Sequence, residues 1–165
     1  MIIRKATDFD LVRCLEIYET ARNTMRKNGN PTQWGTEYPY DYLIKEDVEL
    51  GRLYVVEADG SVEGVFFMEQ GPDETYLQIE GSWLNEEPYC VIHRIASSGR
   101  VKGVLKAAVD YTLEHCNNIK IDTHEQNTAM QKALAKLGFK YCGIIYVFAP
   151  WEGKSPRMAY QLCVK

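Results

Sequence analysis

Apolar residues recur along the first part of the chain at steps of three and four positions. Leu11, Leu15 and Tyr18 share one face of this pattern, and the spacing predicts an amphipathic helix that runs to about Lys27. The residues before it, 2–6, have a strand-like pattern. The chain therefore opens with a strand followed by a helix.

Further along the chain, the spacing of the apolar residues changes several times. Runs rich in β-formers and separated by turn residues predict strands over residues 53–56, 62–69, 75–79, 90–96, 119–122, 141–148 and 158–164. Helical spacing is found over residues 40–50 and 101–115, and a last helix is expected to open at Thr123 and end at Gly138. Residues 80–89 are expected to form an irregular loop. This alternation predicts an α/β protein with a mixed sheet covered by helices.

Composition narrows the class of protein. The chain has 165 residues, 45% of them hydrophobic and 25% charged, which is ordinary for a folded globular protein. This length fits a single domain over residues 1–165 with one sizeable core. The net charge of −4 argues against nucleic acid as a partner, because phosphate binding is dominated by basic surface.

The cysteines and the apolar runs bear on location. Five cysteines show no CxxC or CxxH spacing, so we expect neither a disulfide framework nor a metal site. No apolar run approaches the length of a membrane span, and no signal peptide is expected at the N-terminus. These features predict a reduced, cytoplasmic protein with no membrane partner.

A basic, glycine-containing segment follows the strand 90–96. It is Arg100-Val101-Lys102-Gly103-Val104-Leu105, at the start of the helix predicted over 101–115. The first turn of a helix leaves several N–H groups unpaired at its positive end. A diphosphate can accept those hydrogen bonds, with Gly103 allowing close approach and Arg100 and Lys102 adding charge. Ordinary helix punctuation is the alternative interpretation.

The helix after the strand 119–122 carries a second signal. Asn127 lies near its start and Gly138-Phe139 near its end. Together with the element order, these segments resemble the GNAT superfamily of N-acetyltransferases, over nearly the whole chain by layout and over residues 90–148 by motif. The resemblance implies a mixed, mostly antiparallel central sheet with a parallel, splayed strand pair, flanked by about four helices.

The resemblance also implies the co-substrate, acetyl-CoA. Its pantetheine arm is expected to insert between the strands 90–96 and 119–122 like an added strand, with a backbone amide near His93 or Ile95 facing the thioester oxygen. The residues implied to contact acetyl-CoA are Ile95, Ala96, Ser97, Arg100, Val101, Lys102, Gly103, Val104, Leu105, Asn127 and Met130. The chain departs from the family pattern at Leu105, where a small residue is usual, and at Leu134, where the family commonly has a tyrosine that serves as the acid.

Acetyl transfer to an amine needs a base that takes up the amine proton. His93 is the first candidate, because it lies one step before the expected thioester and should share a strand face with Ile95. His124 lies at the strand-to-helix junction, where it either acts in catalysis or orients the loop. For the acid, Tyr146 is preferred over Tyr141, Cys142 and Tyr160. Structural roles remain the alternative for each of these side chains.

Residues between the first two helices are expected to form the acceptor wall. Trp34 offers a face to a cationic amine and Glu37 attracts it, with Tyr38 beside them, unless Trp34 and Tyr38 simply cover the core. The predicted function is N-acetyltransfer to a small-molecule or peptide amine. The alternatives are a non-catalytic acyl-CoA-binding module on the same fold and transfer of a longer acyl group. No metal is expected, and the resemblance allows a homodimer.

Overall fold

The computed structural model describes residues 1–164. Eight strands form one sheet in the order β1-β2-β3-β5-β6-β8-β7-β4. The strands are β1 Ile2–Lys5, β2 Leu53–Ala58, β3 Ser61–Gln70, β4 Glu80–Gly81, β5 Cys90–Ser97, β6 Asn118–Thr123, β7 Lys140–Ala149 and β8 Gly153–Cys163. The helices are α1 Leu11–Lys27, α2 Asp41–Glu49, α3 Val104–Leu113 and α4 Thr128–Lys136. The predicted fold class is confirmed.

Helices cover both faces of the sheet. Val104 and Ala108 of α3 and Leu134 of α4 pack on one face with residues of β2, β3, β5 and β6. Tyr18 of α1 and Ile44 of α2 are fully buried on the other face, with Leu11 and Leu15 packed against them. The apolar face predicted for α1 therefore lies in the core. Within residues 1–164, no helix is both long and apolar enough to cross a bilayer.

The prediction of a strand over residues 75–79 is wrong. A 3₁₀-helix occupies Glu74–Tyr76 instead, because the side chain of Asp73 accepts a hydrogen bond from the Thr75 N–H and caps the turn. The short strand β4 lies inside the segment 80–89 that was expected to be irregular. A local cap has overridden the β propensity of the segment.

Two helices begin later than predicted. The chain has a positive φ of 91° at Gly103, so α3 begins at Val104. The last helix does not open at Thr123. The Gln126 N–H donates to Nδ1 of His124 and holds a turn there, and Asn127 caps α4 by accepting from the Met130 N–H at 3.1 Å.

Candidate active site

The strands β5 and β6 are the parallel pair of the sheet, and they separate soon after they meet. Their paired residues are Cys90 with Ile119 and Val91 with Lys120. Beyond this point β5 continues to Ser97 and β6 to Thr123 without facing each other across a ladder. The backbone groups on these facing edges are therefore open to an extended ligand. The splayed pair predicted from the sequence is confirmed.

A β-bulge lies at the splay. Val65 of β3 pairs with Ala96 and Phe67 with His93, so that one residue of β3 faces two of β5. Arg94 has a φ of 49° in this bulge. The extra residue resets the alternation of side chains. His93 therefore packs against Phe67, whereas Ile95 packs with the core on the other face, and the expectation that they share a face is wrong.

His93 lies between two carboxylates. Its Nε2 is 2.6 Å from Oδ2 of Asp73, and its Nδ1 is 3.9 Å from Oδ2 of Asp122. Thr75 holds the other oxygen of Asp73 through its N–H at 2.9 Å and its hydroxyl at 2.6 Å. Tyr76 donates its hydroxyl hydrogen bond to Asp122 at 2.6 Å. Both carboxylates are thus held in fixed positions beside the ring.

These contacts set the charge of Asp73 and the tautomer of His93. Burial acts to raise the pKa of Asp73, but hydrogen bonds from His93 and Thr75 outweigh it and lower this pKa to about 2. Asp73 is therefore an acceptor at neutral pH, and Nε2 of His93 must carry the proton that joins them. In the neutral ring, Nδ1 is left as the proton acceptor.

A buried ion cluster forms the neighbouring wall. Asp47 is fully buried and bonds Arg52 at 2.9 Å and Arg94 at 2.8 Å. The Arg94 guanidinium also donates to the hydroxyl of Tyr38 at 3.3 Å and lies 4.5 Å from the centre of the Phe67 ring. Breaking such a cluster by removing its only carboxylate is costly. The cluster therefore fixes Arg94, the residue in the bulge, in place.

The N-terminus of α3 lies where β5 ends. Among residues 1–164, no protein oxygen accepts a hydrogen bond from the N–H groups of residues 101–106. A Cβ added at Gly103 would have only the Met1 methyl nearby, at 3.9 Å. Arg100 is exposed and bonds the buried Glu63 at 3.1 Å. These free donors fit a diphosphate.

The two residues that depart from the family pattern, Leu105 and Leu134, belong to the same core but differ in burial. Leu105 is half-buried and packs against the core. Leu134 is fully buried in the same core, where Tyr160 also lies. Neither leucine lines the cavity beside His93, and Leu134 has no proton to donate.

Asn127 and Met130 both line the cavity beside His93. The Asn127 amide is engaged within the protein, because its oxygen caps α4 and its NH₂ group donates to Oε1 of Gln33 at 3.0 Å. Asn30 donates to the same oxygen at 2.8 Å. Asn127 thus ties the loop after α1 to the start of α4.

His124 is buried and does not line the cavity. Its Nδ1 accepts from the Gln126 N–H at 3.1 Å, while its Nε2 lies 3.1 Å from the Thr32 hydroxyl and 3.2 Å from Glu152. Both ring nitrogens are therefore occupied. This placement favours the loop-orienting alternative over catalysis.

Two other predicted site residues lie elsewhere. Tyr146 donates to Glu80 at 3.0 Å on the far side of β7 and does not line the cavity. That hydrogen bond raises its pKa, which makes it a weaker acid donor. Glu37 is exposed and is also outside the lining. The structure does not bring either residue to His93.

Sequence reasoning missed Asp73 and Asp122. Asp122 was detectable, because it ends a strand parallel to the one that carries His93, and the ends of neighbouring parallel strands meet at one edge. Asp73 gave no such signal, since it reaches His93 from a turn. Both carboxylates depend on the tertiary fold for their position.

A cavity of about 540 Å³ opens beside these groups. Its floor contains His93, Asp73 and Asp122. Five of its aromatic lining residues, Trp34, Tyr38, Tyr40, Phe148 and Trp151, are together called the aromatic wall. The predicted acceptor residues Trp34 and Tyr38 are therefore together at the cavity, and Trp34 is at the same time a core residue packed on Tyr18.

Comparison with known proteins agrees with this architecture. No family model and no curated protein sequence matches the chain. A GNAT-family acetyltransferase from Streptococcus agalactiae is 31% identical, with 99% of this chain and 95% of that chain covered and a TM-score of 0.86. An acetyltransferase candidate from Staphylococcus aureus is 26% identical over the full length of both chains, with a TM-score of 0.71.

A third similar structure was solved together with its cofactor. The candidate acetyltransferase YncA from Salmonella typhimurium, solved with acetyl-CoA, is 16% identical, covers 100% of this chain and 94% of that chain, and has a TM-score of 0.64. At this identity the likeness concerns the fold alone. The splayed parallel pair, the bulge beside it and the full-length likeness to the streptococcal protein lead to one conclusion: the chain belongs to the GNAT family of acetyltransferases.

Proposed function

We propose that the chain is an N-acetyltransferase that moves an acetyl group from acetyl-CoA to a primary amine of a small molecule or peptide by direct attack. The observation that carries this proposal is the opening between β5 and β6 after Val91 and Lys120. His93 lies at that opening and faces the cavity. A nucleophile can thus approach a group held between the strands.

The free backbone donors are proposed to hold the co-substrate. Acetyl-CoA supplies the thioester carbonyl that is attacked and the thiolate that leaves. The N–H groups of residues 101–106 and the charges of Arg100 and Lys102 bind its diphosphate. The β5 edge at Ile95, Ala96 and Ser97 bonds the arm, and an amide near the bulge stabilises the oxyanion. Met130 packs against the arm, and Asn127 fixes the start of α4.

His93 is proposed as the base. Because Asp73 accepts a hydrogen bond from Nε2–H, Nδ1 of His93 is free to accept the proton from the amine. Asp73 then stabilises the imidazolium and keeps the ring in place. No acid is required at Leu134, since a thiol is acidic enough to leave as the thiolate; the cysteine thiol, for comparison, has a pKa of roughly 8.5.

The test combines binding with turnover. Calorimetric titration with acetyl-CoA should show binding, and a thiol-release assay over an amine panel should show turnover. We expect His93→Gln to lower kcat more than acetyl-CoA affinity, and Arg100→Ala to do the reverse. Binding without turnover on any amine would favour the non-catalytic module, and absence of binding would overturn both the enzyme and the module.

Size-exclusion chromatography tests the predicted homodimer, and cell fractionation tests the predicted cytoplasmic location.

A further inference from the structure

Asp122 is a carboxylate that forms no salt bridge with a lysine or arginine among the described residues, although Arg157 is near enough to interact with its charge. Within the part of the chain described here, its contacts are the Tyr76 hydroxyl and, at 3.9 Å, Nδ1 of His93. The arginines on the cavity wall pair elsewhere: Arg52 and Arg94 with Asp47, and Arg157 with Glu152. Arg52, Arg94 and Arg157 also line the cavity, but their salt bridges to other carboxylates leave that of Asp122 able to bind a cation.

The spacing of these atoms suits a primary ammonium. One nitrogen can lie at the usual hydrogen-bond distance of roughly 2.9 Å from each of two acceptors when those acceptors are 3.9 Å apart, as Oδ2 of Asp122 and Nδ1 of His93 are. An ammonium held there donates to both atoms. Its transfer of a proton to Nδ1 then leaves a neutral amine beside the thioester.

The aromatic wall gives the rest of the cavity its character. Tyr38 stands at its centre, with ring centroids 6.3 Å from Trp34, 5.8 Å from Tyr40 and 6.1 Å from Trp151. Phe148 is 78% exposed, and no described aromatic ring lies against it. An exposed phenyl group among the residues that line the cavity is a surface that a flat apolar ligand would cover.

Part of this wall is held rigid. The Trp151 indole N–H donates to the Thr32 carbonyl at 2.7 Å. Gly35, with a φ of 62°, lets the indole approach so closely that a Cβ there would lie 3.1 Å from Cδ2 of Trp151. The ring is thus fixed in place, and little ordering entropy is lost when a ligand packs on it.

We propose that the acceptor is a primary amine carried on an aromatic body, with its nitrogen bound between Asp122 and His93 and its ring against the aromatic wall. This rests on the proposed function. The ammonium first gives one proton to Nδ1 of His93, which passes it to solvent. The amine nitrogen then forms a bond to the acetyl carbon, the carbon–sulfur bond breaks, the thiolate leaves, and the second proton of the nitrogen goes to Nδ1 of His93.

Three amines separate this acceptor from others. With saturating acetyl-CoA, 2-phenylethylamine should have a kcat/KM at least tenfold above that of n-butylamine, which lacks the ring. It should exceed phenylalanine by a similar factor, because an α-carboxylate beside the amine is repelled by Asp122 and Asp73. Equal rates for phenylethylamine and butylamine, or a preference for phenylalanine, would overturn the inference while leaving acetyl transfer intact. Turnover of no amine would overturn acetyl transfer itself.

Two variants test the two halves of the site. Phe148→Ala should raise KM for phenylethylamine severalfold more than KM for butylamine, and Phe9→Ala, at a side chain 99% exposed outside the cavity, is the matched control. Asp122→Asn should lower kcat/KM by roughly ten- to a hundredfold for both amines through KM, with thermal unfolding confirming its fold. If Phe148→Ala affects both amines equally, or Asp122→Asn affects neither, the inference is wrong.

Discussion

Asp73 and His93 stand 20 residues apart in sequence and meet at 2.6 Å between Oδ2 and Nε2. One comes from the turn after β3 and the other from the bulged strand β5. The bond fixes which ring nitrogen carries the proton, so the base proposed for the amine is Nδ1.

Asp73→Asn keeps the size of the side chain but removes its charge. We expect kcat to fall roughly ten- to a hundredfold, because the imidazolium formed at His93 loses its counter-charge, while acetyl-CoA affinity stays the same. Thiol release and calorimetry measure the two quantities. Asp110→Asn is the control, since Asp110 lies on α3 in an exposed pair with Lys106. Equal kcat in both variants would contradict the role of Asp73.

Gly103→Ala tests the free N–H groups at the start of α3. A side chain at a φ of 91° costs about 1–2 kcal/mol of stability, and the loop that presents the donors is expected to shift. Gly29→Ala is matched, because Gly29 has a φ of 80° and no atom within 4 Å of an added Cβ.

Both glycine variants should lose similar stability in thermal unfolding. Only Gly103→Ala should also weaken acetyl-CoA binding, by up to roughly tenfold if the strain is relieved through the loop. Calorimetry gives the affinities. A parallel loss of affinity in Gly29→Ala would mean that α3 has no special part in binding.

Leu134→Tyr restores the tyrosine that the family commonly has at this position. Because Leu134 is fully buried in the core, we expect overpacking to cost about 1–3 kcal/mol of unfolding free energy without raising kcat. Leu134→Met, which conserves volume, should cost less. Denaturant unfolding and thiol release check both. A stable tyrosine variant with faster turnover would refute the buried placement.

Lys120 is a buried ammonium between two rings, 4.2 Å from the centre of Trp83 and 3.9 Å from that of Tyr89. Burial lowers its pKa below the ordinary value of 10.5. Because the unfolded chain then binds more protons than the folded one, this group makes stability rise with pH up to the unfolded pKa.

The difference in unfolding free energy between the native chain and Lys120→Met isolates that effect. We expect the methionine variant to be at least as stable at neutral pH, since a desolvated charge is removed, and its advantage to shrink as the pH rises toward 10.5. Urea unfolding at several pH values measures this. A pH-independent difference would show that Lys120 does not titrate differently on folding.

The features that the sequence predicted are those coded by neighbouring residues. The spacing of Leu11, Leu15 and Tyr18 identified α1 with the correct end, because helical periodicity is local. The order of strands and helices likewise predicted that β5 and β6 are parallel, and the family resemblance implied that they splay apart. The strand over 75–79 failed because one side chain, that of Asp73, capped a turn against the propensity of its neighbours.

The site was predicted less completely, since its groups converge from separate elements. His93 was recognised as a histidine on a strand next to the expected thioester, but its two carboxylates come from a turn and from β6. Asn127 was placed near the start of α4, yet its amide turned out to face Gln33. Contacts of this kind depend on packing, which a single sequence does not display.

The bulge at Arg94 makes two consecutive side chains point the same way. In a regular strand His93 and Arg94 would lie on opposite faces, and only one of them would reach the cavity. With the extra residue, His93 faces the carboxylates and Arg94 reaches Asp47. Shortening β5 by one residue here would therefore separate the proton acceptor from the buried charges that brace the wall, even though every side chain involved was retained.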